Sequence, residues 1–173
     1  MPLNIEIKAN CKNPEKALEI LKMAGAEYKG CDHQVDTYFV VPEGRLKLRE
    51  GKIENNLIFY RRNDQAGPKR SEVILYPASK NPGLKKILAE VNGIKVVVDK
   101  QRNILFLGNV KFHVDEVKEL GSFIEIEAIG EQGQEDQLNS QCRNYMEILG
   151  IVEEDLVNDS YSDILLKKNQ HHA

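Results

Sequence analysis

The chain has 173 residues, 41% of them hydrophobic and 29% charged, with a formal net charge of −3. That suffices for one ordinary domain, taken as residues 1–173 with a frayed tail from 166, and it excludes both a disordered chain and one coated in nucleic acid through bulk charge. No stretch approaches the roughly eighteen apolar residues of a membrane span, and "MPLNIEIKAN" lacks a basic segment followed by an apolar one, so the expected location is the cytoplasm.

In chain order, "NIEIKAN" (4–10) opens with strand alternation, Ile5 and Ile7 on one face and Glu6 and Lys8 on the other. "NPEKALEILKMAGA" then carries helix punctuation: Asn13 to cap, Pro14 at the first position, Leu18 and Leu21 facing inward and Gly25 to close. Four strand-like segments follow, "QVDTYFVV", "GRLKLREG", "NLIFYRRND" and "KRSEVILY". Their short connections favour antiparallel hairpins. "NPGLKKILAEVNG" repeats the Asn-Pro opening, with Leu84, Ile87, Leu88 and Val91 spaced as one buried stripe. Three more strands, "IKVVVDKQRNILFL", "KFHVDEV" and "SFIEIEAI", precede a helix over about 134–149, striped by Leu138, Cys142, Tyr145 or Met146, and Leu149. A short helix over 160–166 ends the pattern, and the fold class is α+β.

The three cysteines, Cys11, Cys31 and Cys142, are odd in number and lack C-x-x-C spacing, which argues against a disulfide framework and a thiolate zinc site. His171 and His172 fall in a polar tail and receive no role. "AGPKRS" is not a phosphate loop, because Pro68 separates the Gly from the Lys and the upstream glycine is missing. A Ser-His-Asp hydrolase lacks its G-x-S-x-G elbow, and neither His33 nor His113 has a matching serine.

What stands out is the polar face of the strands, which is almost entirely ionised. Arg45, Lys47 and Arg49 share one face of "GRLKLRE"; Glu125 and Glu127 share one face of "FIEIEAI"; Lys100 and Arg102, Lys111, His113 and Asp115, and Arg70 and Glu72 extend the pattern. Any one such strand reads as the wet side of a half-exposed sheet. As a set they are harder to solvate, because like charges opposed across strands destabilise a sheet. A polyanion would neutralise the Arg and Lys groups, and a hard divalent cation would suit the Glu and Asp groups; metal-bound polyphosphate meets both demands. A barrel closed with its ionic side inward would also turn the Ile and Leu faces outward beneath helices. Nucleic acid is not expected as a partner, since the basic strands are balanced by acidic ones.

These segments resemble the CYTH proteins, or triphosphate tunnel metalloenzymes, which include class IV adenylyl cyclases, thiamine triphosphatases and inorganic triphosphatases. The family hallmark is an N-terminal E-x-E-x-K strand; Glu6 and Lys8 match its second Glu and its Lys, while Asn4 stands at the first Glu. "HQVDTYFVVPEGRLKLRE", "LIFYRRNDQAGPKRSEV", "VDKQRNILFLGNVKFHVDEVKELGSFIEIEA" and "DSYSDILL" look most like the adenylyl cyclase branch. The resemblance implies a closed antiparallel eight-stranded barrel whose charged lumen holds a triphosphate with Mg²⁺ or Mn²⁺, with helices packed outside. It implies substrate contacts from Arg45, Lys47, Arg49, Arg61, Lys69, Arg70, Lys100 and Arg102, metal ligands among Glu6, Glu72, Asp115, Glu125 and Glu127, and catalytic roles for Lys8 and Arg102. Arg62 competes with Arg61, because adjacent strand residues face opposite ways. The activity implied is conversion of ATP to cyclic AMP and pyrophosphate. Hydrolysis of thiamine or inorganic triphosphate is the alternative, and binding without turnover is a third, since Asn4 replaces a carboxylate. The chain is expected to act as a monomer or homodimer on a small-molecule triphosphate.

Overall fold

The computed structural model describes residues 2–62 and 67–171. Its element order is β1 (Pro2–Asn10), α1 (Pro14–Met23), β2 (Glu27–Phe39), β3 (Arg45–Glu50), β4 (Asn55–Arg62), β5 (Lys69–Pro77), α2 (Pro82–Asn92), β6 (Ile94–Leu107), β7 (Val110–Val117), β8 (Gly121–Glu131), α3 (Glu135–Ile148), a 3₁₀ turn (Glu153–Asp155) and α4 (Tyr161–His171). The eight strands close into one antiparallel barrel in the order β1-β5-β4-β3-β2-β6-β7-β8, with β8 returning to β1. Among the described residues no helix is long and apolar enough to cross a membrane.

Alternation decides which side chains enter the barrel. Outward, Leu3, Ile5, Ile7 and Ala9 of β1, Val110, Phe112 and Val114 of β7, and Ile124, Ile126 and Ala128 of β8 form the main core, sealed by Ala17 and Leu21 of α1 and by Leu138, Cys142 and Met146 of α3. Tyr145 packs edge-on to Phe112 at the margin of this core. Both Asn caps are made: Asn13 accepts from Lys16 N at 3.1 Å and Asn81 from Gly83 N at 2.8 Å.

A second apolar cluster lies inside the barrel. Tyr161 and Leu165 of α4 insert among Tyr38, Val96, Val98, Val117 and Phe123, so α4 plugs one end of the tunnel. That helix runs to His171, past the end expected from the sequence. Lys168 ties its last turn down by donating to Glu119 O at 2.6 Å, where a cation also favours the helix dipole.

Two further differences from the sequence pattern have local causes. β2 begins at Glu27, well before "QVDTYFVV", because a bulge between Tyr28 and Gly30 lets the polar run "EYKGCDH" keep pairing with β6. The stripe of α2 is not buried: Ile87 is 62% and Val91 77% exposed, since this helix makes its main contacts with β2 and ties to β3 through Lys85 and Glu50. The end of "NLIFYRRND" falls at 63–64, outside the described residues.

Candidate functional site

Inside the barrel the ionic faces meet around a cavity of about 170 Å³. Its centre is Asp36 of β2, fully buried and contacted by three cations. Arg49 holds both carboxylate oxygens, Nε to Oδ1 and Nη2 to Oδ2 at 2.9 Å each; Lys100 Nζ reaches Oδ2 at 2.8 Å and Lys47 Nζ at 3.2 Å. The register explains the convergence: Asp36 sits opposite Arg49 on β3 and Tyr38 opposite Lys47, while Lys100 comes from β6 on the other side of β2. Burial would raise the Asp36 pKa, but Arg49, Lys100 and Lys47 hold the carboxyl well below the usual range. The same crowd acts on Lys100, where burial and the neighbouring Arg102, Arg49 and Lys47 outweigh Asp36 and bring its pKa down to about 7.

Arg102 makes a second centre. It donates to both oxygens of Asp115 at 2.7 and 2.6 Å and lies 3.4 Å from Glu125, while the Tyr161 hydroxyl donates to Asp115 Oδ2 at 2.8 Å. Lys8 approaches Glu125 at 3.7 Å, lies 3.9 Å from the Tyr161 ring centroid, and donates to Asp159 O at 3.4 Å. His113 Nδ1 is 3.2 Å from Glu125. Burial, with Arg102 next, lowers the His113 pKa to about 4, so the ring is neutral; an ionised carboxylate can only accept, so Nδ1 carries the proton and Nε2 is left as an acceptor. Among the described atoms Nε2 has no partner, and the ring lines the cavity.

The acidic pole lies where β1 meets β8. Glu6 is directly opposite Glu127, and Asn4 Nδ2 donates to Glu127 Oε1 at 2.6 Å. Burial, then the Glu6 carboxylate, push the Glu127 pKa up to about 7. Two opposed carboxylates with this energetic penalty fit a divalent cation, since Mg²⁺ is commonly held by one or two carboxylates. No group of three or more His, Cys, Asp or Glu among the described residues is arranged as a self-sufficient metal cage.

Thus Lys8, Lys47, Arg49, Lys100, Arg102, Glu6, Glu125 and Glu127 all line one cavity. Arg45, Lys69 and Asp115 share the inward register but sit behind that lining. Arg45 is ion-paired to Asp163 of α4 at 2.6 Å, and Lys69 donates to Asn158 O. Three expectations are corrected. Arg61, Arg70 and Glu72 face outward on β4 and β5, where they share a surface groove with Phe59 and Ile74, and Arg61 is 55% exposed beside Glu43. The reason is parity: Lys69 and Ser71 of β5 take the inward positions, so Arg70 and Glu72 cannot. The side chain of Arg62 lies outside the described residues.

Sequence reasoning missed Asp36 and Glu54. Asp36 is a lone acid in an apolar-looking strand, and its only signal is that it alternates with Tyr38. Glu54 is in the β3–β4 loop, which Asp32 fixes by accepting from Lys52 N, Ile53 N and Glu54 N at 2.7, 3.0 and 3.0 Å. The loop passes so close that a Cβ at Gly51 would meet Asp32 Oδ2 at 2.5 Å. Glu54 is thereby aimed at Lys111, 2.7 Å away, and Arg49, 3.6 Å away.

A family model described as the CYTH domain matches residues 2–161. The chain belongs to the CYTH family. A sequence comparison with curated proteins gives no significant match. Several solved structures share the CYTH-type fold at low identity. The PH1012 protein from Pyrococcus horikoshii OT3 is 22% identical with a TM-score of 0.76, covering 92% of this chain and 98% of that one. A Vibrio parahaemolyticus protein proposed to be an adenylate cyclase is 18% identical with a TM-score of 0.80, covering 94% and 97%. A Hippeastrum protein proposed as an adenylyl cyclase, whose dominant activity is that of a triphosphatase, is 13% identical with a TM-score of 0.59, covering 98% and 96%. At these identities the likeness carries the fold.

Proposed function

We propose that this CYTH protein is a metal-dependent enzyme acting on a nucleoside or organic triphosphate held in the tunnel, in the manner of class IV adenylyl cyclases. The observation that carries this reading is the Asp36 centre. Arg49, Lys100 and Lys47 converge on one carboxylate, and Glu54, the next acid, is shared between Arg49 and Lys111, so four cations meet two acids and a polyanion supplies the difference. Glu6 and Glu127 would hold Mg²⁺ or Mn²⁺, which when bound neutralises phosphate oxygens as a Lewis acid. Arg49, Lys47 and Lys100 position the phosphates. Lys8 and Arg102, already fixed by Glu125 and Asp115, are set to stabilise charge growing on the leaving group. In a cyclase the ribose 3′-hydroxyl attacks the α-phosphate and pyrophosphate departs; in a triphosphatase water attacks the γ-phosphate. The Vibrio neighbour favours the first and the Hippeastrum neighbour the second.

One observation favours a reading without turnover. Asn4 stands where the family pattern has a carboxylate, and its amide occupies Glu127 Oε1. Incubating the protein with ATP, thiamine triphosphate or inorganic triphosphate and Mg²⁺ or Mn²⁺, then resolving products, separates these readings. Cyclic AMP with pyrophosphate marks a cyclase, and orthophosphate marks a triphosphatase. Tight binding with no product from any of them refutes the enzyme, and activity gained in Asn4→Glu places the defect in the metal pole.

A further inference from the structure

Among the described residues, the buried side-chain atoms left without a hydrogen-bond partner are Gln34 Oε1, Thr37 Oγ1 and His113 Nε2. Of these residues only His113 lines the tunnel cavity, and it is 3% exposed. A buried acceptor without a partner carries a desolvation penalty, which a bound group with a hydrogen to give removes.

The chemistry of that group is narrow. With the proton on Nδ1 directed at Glu125, 3.2 Å away, the ring offers an acceptor at Nε2 and no donor. Asn56, Ser71 and Ser160 also line the cavity, but a hydroxyl or an amide has a hydrogen to turn outward, and a neutral imidazole in this tautomer has none. Ionised phosphate oxygens have no hydrogen either, so Nε2 repels them. What it matches is an O–H beside the phosphates. Its place in the register suits that task. His113 stands opposite Glu125, which stands opposite Lys8. The inward neighbours of His113 along β7, each about 7 Å away, are Lys111, in one row with Glu127 and Glu6, and Asp115, opposite Arg102. The ring therefore lies between the opposed carboxylates of the acidic pole and Arg102.

We propose that His113 Nε2 accepts a hydrogen bond from the hydroxyl that attacks phosphorus, a water or a hydroxyl of the substrate's sugar, and so orients the nucleophile. This rests on the enzyme reading above and adds a residue to it. The attacking oxygen forms a P–O bond as the bond to the departing phosphate breaks, and its hydrogen leaves on the products; the ring keeps no proton.

The test reads kcat, KM and metal-free binding separately in wild type, His113→Phe and His113→Gln. The substrates are ATP, thiamine triphosphate and inorganic tripolyphosphate, with Mg²⁺ or Mn²⁺ added for turnover and calorimetry without metal for binding. Phe fills the space without an acceptor, and Gln returns an amide oxygen. We expect His113→Phe to lower kcat by about a hundredfold, the scale of a misplaced reactant, while KM and the metal-free tripolyphosphate dissociation constant stay within about twofold. His113→Gln should recover about tenfold of that loss, the scale of one hydrogen bond. The products name the hydroxyl. Loss of orthophosphate release assigns water; loss of cyclic AMP from ATP, with 3′-deoxy-ATP bound more weakly than ATP by wild type and equally by His113→Phe, assigns the sugar. An unchanged kcat in His113→Phe, equal failure of the Phe and Gln variants, or binding lost in step with kcat overturns the role of His113 and leaves the enzyme standing. Wild type that turns over none of the three substrates overturns both. Equal thermal midpoints verify that folded proteins are compared, and His113→Leu gives the same readout if the Phe variant unfolds.

Discussion

Two poles of the tunnel solve opposite problems. Around Asp36 three cations share one acid. Across β1 and β8, Glu6 and Glu127 stand face to face, and burial with the Glu6 charge leaves Glu127 near pKa 7. The cationic pole is knitted by short, direct ion pairs, whereas the acidic pole is held by the strand register and one amide. The first is therefore part of what keeps the barrel together, and the second is a feature that folding tolerates. On the proposed reading, phosphate completes the first and a divalent cation the second.

The sharpest way to break this comparison is to delete the shared acid. Asp36→Ala takes the nearest counter-charge from buried Arg49 and Lys100 and from half-buried Lys47, leaving Arg49 only Glu54 at 3.6 Å, a change that costs about 3–5 kcal/mol when one partner of a buried pair is removed. Urea denaturation followed by circular dichroism reads this directly. A midpoint equal to wild type would mean that the cations are held apart by the fold and that Asp36 is incidental. Glu127→Gln is the corresponding change at the other pole, and there the fold should survive. Metal-dependent turnover is expected to fall by about tenfold to a hundredfold, as when the support of a metal site is removed. Metal-free tripolyphosphate should bind as well as before or better, because one repelling charge is gone. Equal loss of turnover and metal-free binding would place Glu127 with the phosphate contacts.

How much of this was legible follows from parity. The strand segments, the two Asn-Pro helix starts and the inward turn of Lys47, Arg49, Lys100, Arg102, Glu6, Glu125 and Glu127 are all carried by clean alternation over several residues. Where two charges are adjacent, as in "KRSE" and "RR", alternation needs a reference point. Lys69, Arg70 and Glu72 cannot all face inward, and which of them does is decided by a pairing that only the folded barrel fixes, with Ile5 opposite Arg70 and Glu6 opposite Lys69. Asp36 was hidden for a different reason. A single acid amid Val, Thr, Tyr and Phe carries no pattern of its own, and its partners come from β3 and β6. The exposed stripe of α2 shows the same limit, since periodicity reports that a helix has an apolar side and not that anything covers it.

The two poles also titrate in opposite senses. Glu127 has a folded pKa of about 7, above its ordinary 4.5. Between those values the native state binds the extra proton, so its contribution is full below 4.5 and is lost as pH rises to about 7. Lys100 has a folded pKa of about 7, below its ordinary 10.5. Here the unfolded chain binds the extra proton in that interval, so stability rises as pH climbs from about 7 to 10.5. Lys100 therefore gives a limb that rises on the alkaline side, while His113, with a folded pKa of about 4 against an ordinary 6.5, offsets the Glu127 limb between about 4.5 and 6.5; each contribution is no steeper than about 1.4 kcal/mol per pH unit. Urea midpoints at acidic, neutral and alkaline pH check this. Glu127→Gln should uncover the His113 contribution, so that stability rises with pH on the acidic side, and Lys100→Met should flatten the alkaline limb; a profile unaltered by either substitution would remove both groups from the account.

The smallest expected effect is the most discriminating about location. Arg61 and Arg70 have the same charge as Arg49 and belong to strands of the same wall, so a reading based on overall positive potential would give all three a share in binding. Arg61 and Arg70 are exposed on the outer surface, where solvent and salt screen a charge within about 10 Å at ordinary ionic strength. Surface changes of this kind stay within about 0.5 kcal/mol, so Arg61→Ala and Arg70→Ala should alter the tripolyphosphate dissociation constant by no more than about twofold. Arg49→Ala removes a cation that is 7% exposed and doubly bonded to Asp36, and its loss should be far larger. Titration of the three variants side by side tests the wall itself: comparable losses in all would mean that the anion is gathered by the field of the whole barrel, while loss in Arg49→Ala alone means that it is held from within.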